Sequence, residues 1–310
     1  MITSHTETLV AGFEIHTLAN AAVEFSLAPA LGARVVSVRD LTTGREWLDG
    51  WSPASERRIW QPSDPADFAT GPGAGLDECL PTVLPCTVGS SKLADHGELW
   101  NRPAAFGVDP AEGSVACHWA LESLPLAFFR RITLAENRLR FYYRIENLAT
   151  DPTPFQWAWH PLLTFVEGDE LRFTPPQTTC HDPTGELLPW PASQPGCDLS
   201  RAFFSDGSAK CAKVFLGPLA AAQVRIETLS GASLDLEWPT EWLPYAGIWI
   251  TRGAWKGLHH WAVEPSNVPT DSLADAIQRP ELARFAFLQP GEIRTWHVTL
   301  TLGSQHGVAL

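Results

Sequence analysis

Alternation of apolar and polar residues over short segments is the feature that most restricts the fold of this 310-residue chain. Between residues 139 and 145, every second residue is apolar or aromatic, and Arg140, Tyr142 and Arg144 lie between them. Successive side chains of a β-strand point to opposite faces, so this pattern predicts a strand with one buried face. The same two-residue period recurs over residues 23–27, 224–227, 234–238 and 295–302.

Turn-forming residues separate these segments and predict antiparallel hairpins. They are Asn20, Thr43-Gly44, Glu136-Asn137 and Ser230-Gly231. A long helical period is missing, and we expect only a short helix that begins near Thr270 or Asp271. These patterns predict an all-β protein. Because large β-sandwiches often reach this length as one unit, we expect a single domain over residues 1–310.

Two segments interrupt the alternation. Residues 51–75 are rich in Pro, Gly, Ser and Asp, and residues 174–208 contain several prolines. We interpret both as long loops. Loops of this length are uncommon in a compact domain unless they serve a site, so we expect them to shape the mouth of a pocket.

The charge and the termini restrict the partners. A formal net charge of -13 disfavours binding to nucleic acid or to an anionic membrane, which depends on clustered Lys and Arg. The sequence shows neither a basic leader followed by an apolar run nor an apolar stretch long enough to cross a membrane. Six cysteines without a CxxC pair indicate reduced thiols. We therefore expect a cytoplasmic protein. Both a monomer and a homodimer are compatible with the sequence.

The segment PFQWAWHP, residues 154–161, is a candidate for one half of a catalytic site. As a strand it places His160 and Ala158 on one face and Trp159 on the other. Alanine leaves space beside the imidazole, and Pro161 favours an extended conformation at His160. A histidine that is simply hydrogen-bonded at a strand end is the alternative interpretation of His160 taken alone.

The segment HWAVEP, residues 260–265, repeats this arrangement with a carboxylate in place of the imidazole. Glu264 shares a face with Ala262 and precedes Pro265, near the end of a predicted strand. A carboxylate is rarely buried without a partner or a task. If both strands line one concave face, His160 and Glu264 form a pair suited to general acid–base chemistry on a ring.

Further titratable residues lie between residues 77 and 98. Asp95, His96 and Glu98 surround Gly97 in a predicted loop, which suits either a site or a solvated turn. Upstream, Asp77 and Glu78 either accept hydrogen bonds from sugar hydroxyls or cap the backbone of the preceding loop.

Among 14 tryptophans, we regard four as possible stacking platforms for a sugar ring. They are Trp60, Trp100, Trp159 and Trp249. The adjacent His259 and His260 point to opposite faces of a strand, and the chain has no HExxH or zinc spacing, so we expect no metal. Phosphate-binding glycine motifs and a GxSxG elbow are also missing, so we expect no cofactor.

Several segments together resemble the galactose mutarotase or aldose 1-epimerase family. They are LGARVVSVRDLTTGREWL from Leu31, GLDECLPTV, DHGELW, FQWAWHP and AVEPSNVPTDSL. Their order and spacing span most of the chain and look like a less characterised branch of the family. The resemblance implies a large antiparallel β-sandwich, the galactose mutarotase-like supersandwich.

The resemblance also implies an activity, the interconversion of the α and β anomers of an aldose without metal or cofactor. Glu264 would be the base on the anomeric hydroxyl, His160 the acid for the ring oxygen, and His96 would hold or polarise the sugar. Asp77, Glu78, Asp95, Trp159 and Trp249 are the candidate substrate-binding residues. Two alternatives stay open: a mutarotase for a phosphorylated or acidic sugar, with Arg57, Arg58 or Arg102 at the pocket mouth, and a non-catalytic carbohydrate-binding protein.

Overall fold

The structure is a computed structural model that describes residues 4–48, 67–71 and 73–304. Nearly all of its regular structure is β-strand. In chain order the strands are β1 Ser4–Val10, β2 Phe13–Ala19, β3 Val23–Ala28, β4 Arg34–Asp40, β5 Leu76–Cys79, β6 Cys86–Val88, β7 Ser91–Leu93, β8 Ala105–Asp109, β9 Ser114–Ala120, β10 Leu126–Ala135, β11 Arg138–Asn147, β12 Thr153–Pro154, β13 Ala158–Pro161, β14 Leu163–Thr164, β15 Glu170–Thr174, β16 Thr179–His181, β17 Leu187–Pro189, β18 Cys197–Asp198, β19 Phe203–Phe204, β20 Lys210–Leu216, β21 Gln223–Glu227, β22 Ala232–Glu237, β23 Tyr245–Arg252, β24 His259–Ser266, β25 Phe287–Leu288 and β26 Ile293–Ser304.

Two large antiparallel sheets account for most of these strands. The first has twelve strands in the order β1-β2-β3-β4-β5-β13-β24-β23-β20-β16-β17, with β14 paired to β24. The second has eight strands in the order β15-β21-β22-β26-β11-β10-β9-β8. The all-β prediction is confirmed.

The two sheets pack face to face through the apolar residues of the alternating segments. In β11, Leu139, Phe141 and Tyr143 are fully buried, whereas the residues between them are exposed. Phe141 contacts Trp159 of the other sheet, with ring centroids 5.5 Å apart, and Tyr143 contacts Trp157 at 5.0 Å. The period of two therefore creates one shared core between the sheets.

The predicted turns lie where the hairpins need them. Glu136 joins β10 to β11 with φ of 53°, and Gly231 joins β21 to β22 with φ of 87°. The predicted helix is present but short: α1 spans Leu273–Ala276, and Ser272 caps it instead of Thr270 or Asp271. A second helix, α2, spans Ala283–Ala286. Neither helix has the length and hydropathy of a membrane span.

The segment 174–208 differs from the expected long loop. It contains the short strands β16 to β19, and β16 extends the twelve-stranded sheet by pairing with β20. All six cysteines are free thiols in the structure.

Candidate active site

A cavity of about 1250 Å³ lies on the face of the twelve-stranded sheet that points away from the core. Residues of β13, β20, β23 and β24 form its floor, and its walls include residues of β7 and of the loops around residues 67–69, 83–85 and 94–96. Along β24 the alternation separates the two faces: Trp261 and Val263 belong to the core, whereas Ala262 packs in a separate cluster with Phe68 and Leu162. Glu264 shares the face of Ala262 and lines the cavity.

His160 and Glu264 meet because β13 and β24 are antiparallel neighbours. Ala158 is paired with Ser266, so the residues two positions further along, His160 and Glu264, face each other across the two strands. The His160 Nε2 atom lies 3.9 Å from Glu264 Oε1. Both side chains are almost completely buried at the bottom of the cavity. The sequence placed both residues on the correct faces, and the sheet order brings them together.

Both residues lie near the ends of their strands. β13 ends at Pro161, which is paired with Leu76, so His160 is its penultimate residue. β24 ends at Ser266, one residue after Pro265, which is paired with Ala246. The ladder pairing of the two prolines holds the backbone next to His160 and Glu264.

Lys213 on β20 reaches Glu264 across the intervening strand β23. Its ammonium donates a hydrogen bond to Glu264 Oε2 and lies 3.3 Å from Asp271 Oδ1. Gly247 is the residue of β23 directly opposite Glu264, and it leaves the space that the ion pair occupies. No motif in the sequence singles out Lys213. Its only signal is a lysine in the middle of the strand KCAKVFL, whose other residues after Lys210 are apolar.

The loop that carries Asp95 and His96 is fixed by its backbone. His96 adopts φ of 56°, and its amide donates to the carbonyl of Val83. Gly97 follows with φ of 72°, and a Cβ atom there would lie 1.9 Å from the carbonyl oxygen of Leu80. Only glycine fits this close approach. The loop is therefore a built part of the cavity wall and not a solvated turn.

Asp95 orients His96 toward the cavity. Asp95 Oδ1 lies 2.8 Å from His96 Nδ1, and Asp95 Oδ2 accepts a hydrogen bond from the amide of Phe68. The His96 and His160 rings meet edge to face, with centroids 5.0 Å apart. Phe68 stacks on His96 with centroids 3.9 Å apart and contacts His160 with its edge. The structure thus brings together Asp95, His96, His160 and Glu264 of the predicted residues.

Burial sets the protonation of the two central groups. Burial lowers the pKa of His160 well below its usual 6.5, and the nearby His96 and Lys213 lower it further. Burial raises the pKa of Glu264 above its usual 4.5, although Lys213 opposes this. Burial thus disfavours the charged form of each residue and brings their pKa values closer together.

The pKa values of the neighbouring Lys213 and Asp95 are instead shifted toward the charged forms of these residues. Burial opposes the charge of Lys213, but Asp271 and Glu264 outweigh it, and the pKa of Lys213 is raised. Burial also opposes the charge of Asp95, but His96 and the hydrogen bonds from the backbone amides of Phe68 and His96 together outweigh it, and the pKa of Asp95 is lowered. Lys213 and Asp95 are therefore charged residues that surround the pair.

The structure places Asp77 and Glu78 outside the lining of the cavity, in neither of the two roles that we considered. Asp77 is buried against Arg34, with Arg34 Nε 3.0 Å from Asp77 Oδ2. Glu78 points into the core, where Arg130 and the hydroxyl of Tyr143 donate to it. Their carboxylates are occupied by these buried partners.

Of the predicted tryptophans, some lie in the core and others line the cavity. Trp159 is completely buried in the core between the sheets, as its position opposite His160 requires, and it does not line the cavity. Trp249 on β23 lines the cavity, together with Trp255, which the sequence analysis missed. Trp100 lies beneath the wall and donates from Nε1 to the carbonyl of Asp95. Trp60 lies outside the described residues.

The two long segments, 51–75 and 174–208, differ in whether they line the cavity. Asp67, Phe68 and Ala69, near the end of the segment 51–75, line the cavity, whereas no residue of 174–208 does so in the described part of the chain. Arg57 and Arg58 lie outside the described residues. Arg102 lines the cavity, and its guanidinium contacts Glu98 and Glu122.

A possible metal-binding group lies elsewhere in the described chain. Glu7, Glu14 and His16 on the β1–β2 hairpin have ligand atoms within 4.8 Å of one another. None of them lines the cavity.

Comparison with known proteins gives the fold a name. No protein-family model matches the sequence. No curated protein matches it either. The Slr1438 protein from Synechocystis sp. PCC 6803 has a similar structure, with a TM-score of 0.72 and 17% sequence identity over 98% of this chain and 99% of that chain.

Two further solved structures are similar to this chain over most of its length. A galactose mutarotase-like protein from Clostridium acetobutylicum has a TM-score of 0.67 and 14% identity over 98% of this chain and 99% of that chain. A galactose mutarotase related enzyme from Lactobacillus acidophilus has a TM-score of 0.64 and 15% identity over 94% of this chain and 98% of that chain. The chain therefore has the galactose mutarotase-like fold, as the resemblance implied.

Proposed function

We propose that this protein is an aldose 1-epimerase that interconverts the α and β anomers of a free sugar. The observation that carries the proposal is the approach of His160 Nε2 to within 3.9 Å of Glu264 Oε1 at the bottom of one cavity. The anomeric hydroxyl and the ring oxygen of a pyranose are bonded to the same carbon. An acid and a base this close together suit two oxygens that are themselves neighbours.

The reaction needs two proton transfers in each direction. Glu264 removes the proton of the anomeric hydroxyl while His160 donates a proton to the ring oxygen, so the bond between C1 and the ring oxygen breaks and an aldehyde forms. Rotation about C1–C2 then presents the other face of the aldehyde. Ring closure by the reverse transfers returns both protons and gives the other anomer. The residues Glu264 and His160 thus end in their starting protonation states.

The electrostatics of the pair fit this cycle. The reactive form holds one proton on the pair, either on His160 before ring opening or on Glu264 after it. Because burial disfavours both charges, the form with protonated Glu264 and neutral His160 is stabilised. This is the form that receives the open-chain aldehyde and closes the ring.

Other residues of the cavity supply binding contacts. The ordered imidazole of His96, held by Asp95, offers a hydrogen bond to a sugar hydroxyl. Trp249 and Trp255 meet edge to face, with centroids 5.5 Å apart, and form an aromatic wall. We assign substrate binding to His96, Asp95 and Trp249.

The charge of the cavity favours an uncharged sugar over a phosphorylated one. Among the described lining residues, the carboxylates outnumber the cations. The carboxylates are Asp67, Asp95, Glu98, Glu122, Glu264 and Asp271, and the cations are Lys92, Arg102 and Lys213. Arg102 and Lys213 already contact carboxylates. Phosphate recognition instead uses cations that are free to form charge-assisted hydrogen bonds.

The test is exchange NMR of anomer interconversion over a panel of aldoses, with glucose, galactose and glucose 6-phosphate among them. The spontaneous rate of each sugar is subtracted. We expect catalysis of an uncharged aldose by the wild-type protein and a loss of about 10²–10⁴-fold in Glu264→Gln, the usual contribution of a positioned base. Binding without exchange in the wild-type protein would support the carbohydrate-binding alternative and overturn the proposal.

A further inference from the structure

Lys213 occupies an unusual position for a charged side chain. Its ammonium lies between two carboxylates, Glu264 and Asp271, and only 13% of its side chain is exposed. The side chain of Glu264 is 2% exposed, so the pair lies at the bottom of the cavity. The two carboxylates hold the ammonium in place. If the ammonium moved away from either one, that carboxylate would be left buried without a charge partner.

The strand between the partners is built to admit this contact. Gly247 lies opposite Glu264 on β23, and a Cβ atom at this position would lie 2.8 Å from Glu264 Oε2 and 3.3 Å from Lys213 Nζ. Any other residue would push into the ion pair. The glycine therefore allows Lys213 to reach Glu264 across a whole strand.

The two oxygens of Glu264 consequently differ. Oε2 accepts the hydrogen bond from Lys213, whereas Oε1 has no protein partner within hydrogen-bond distance in the described chain and faces His160. A buried carboxylate oxygen without a partner is uncommon and is expected to have a function. Oε1 is the oxygen that is available to a ligand in the cavity.

We propose that Lys213 is a positioning residue, anchored by Asp271, which holds Glu264 through Oε2 and leaves Oε1 as the atom that exchanges a proton with the substrate. This assignment rests on the proposed function. Lys213 does not touch the reacting atoms in this account. It acts by fixing the rotamer of Glu264 and by favouring its charged form.

The charged and titratable groups around Glu264 make this role measurable through the direction in which they shift the pKa of Glu264. They are Lys213 on β20, Asp271 after β24, His160 on β13, His96 in the loop after β7, and Cys79 on β5. Lys213 lowers the pKa of Glu264, and Asp271 raises it. Removing the charge of Lys213 and removing the charge of Asp271 must therefore shift the titration of Glu264 in opposite directions.

The experiment is a carbon-13 NMR titration of the side-chain carboxyl of Glu264, assigned with Glu264→Gln. We expect Lys213→Met to raise the midpoint by about 1–3 pH units, the usual effect of losing an adjacent opposite charge. Asp271→Asn lowers it, because the amide no longer repels the carboxylate and Lys213 pairs with Glu264 alone. Lys210→Met is the matched control on the same strand; Lys210 pairs with Asp206, and this variant leaves the midpoint unchanged.

The anomer exchange rate of the same variants supplies a second readout. In Lys213→Met we expect kcat to fall at least tenfold and KM to change little, and Lys213→Arg to recover part of the loss. Midpoint shifts of the same sign in Lys213→Met and Asp271→Asn, or no shift in either, would overturn the assignment. Asp271→Asn alone decides the sign if Lys213→Met does not fold. The titration needs no activity, so its result stands apart from that of the proposed function.

Discussion

At the scale of single residues, the site depends on a histidine and a glutamate whose environments move their pKa values toward each other. His160 is made less basic by burial and by the nearby His96 and Lys213, while burial makes Glu264 less acidic. In water at neutral pH, a glutamate is charged and a histidine is mostly neutral. In this cavity the two residues compete for one proton, which suits chemistry that moves protons in both directions.

This competition predicts a bell-shaped pH dependence of kcat/KM for anomer exchange. On the alkaline side the pair loses its shared proton, and the rate falls about tenfold per pH unit; on the acid side a second proton blocks the base. The measurement is the exchange rate across the pH range, corrected for spontaneous mutarotation at each pH. A rate that only rises with pH would mean that Glu264 acts without a proton on His160, and this would contradict the account.

At the scale of elements, the site is a product of strand order. His160 and Glu264 come from β13 and β24, which lie about a hundred residues apart in the chain yet are neighbours in the sheet. Lys213 lies on β20, which is separated from β13 by the two strands β24 and β23. Each of these strands supplies a polar side chain to the cavity, and Trp159 and Trp261, on the other face of β13 and β24, belong to the core.

The sequence predicted the part of this arrangement that depends on local period. Alternation placed His160 and Trp159 on different faces of one strand, and Glu264 and Val263 on different faces of another. Both assignments agree with the structure. Alternation alone also excluded Trp159 from the cavity, although we had considered it as a platform. The partners Lys213 and Phe68 were missed because sheet order and loop packing are non-local, and no short pattern encodes which strands become neighbours.

The contact of Lys213 with Glu264 across β23 predicts the effect of Gly247→Ala. The added methyl group would lie 2.8 Å from Glu264 Oε2, so the carboxylate or the ammonium must move. We expect kcat to fall by at least tenfold, since misplacement of a base by a fraction of an ångström weakens proton transfer. Circular dichroism and thermal unfolding check that the fold is retained. Gly107→Ala, where a Cβ atom meets nothing within 4 Å, is the control, and equal losses in both variants would contradict the prediction.

At the scale of the whole molecule, a buried ion pair links the two sheets. Arg130 of β10 donates to Glu78 of β5, and the hydroxyl of Tyr143 on β11 donates to the same carboxylate. These three side chains are buried in the core. A short segment shows no partner for a carboxylate, so the sequence alone is compatible with Glu78 as a sugar ligand or a loop cap. Its partner lies in a strand more than fifty residues away, on the other sheet.

The buried pair predicts a large effect on stability and a small effect on chemistry. Glu78→Gln leaves the guanidinium of Arg130 without its charge partner, and removal of one partner of a buried pair typically costs about 3–5 kcal/mol. We expect the free energy of unfolding, measured by urea denaturation, to fall by this amount. The exchange rate of the folded fraction should stay near that of the wild type. A variant of unchanged stability would show that Arg130 finds adequate partners without Glu78.

The central claim is that His160 and Glu264 work as one unit on a sugar, and a double-mutant cycle of anomer exchange tests it most directly. The rates of the wild type, His160→Ala, Glu264→Gln and the double variant are measured with one aldose. Because each proton transfer depends on the other, we predict that each single variant loses most of the catalysis and that the double variant loses little more. Losses that multiply in the double variant, or full activity in either single variant, would contradict the account.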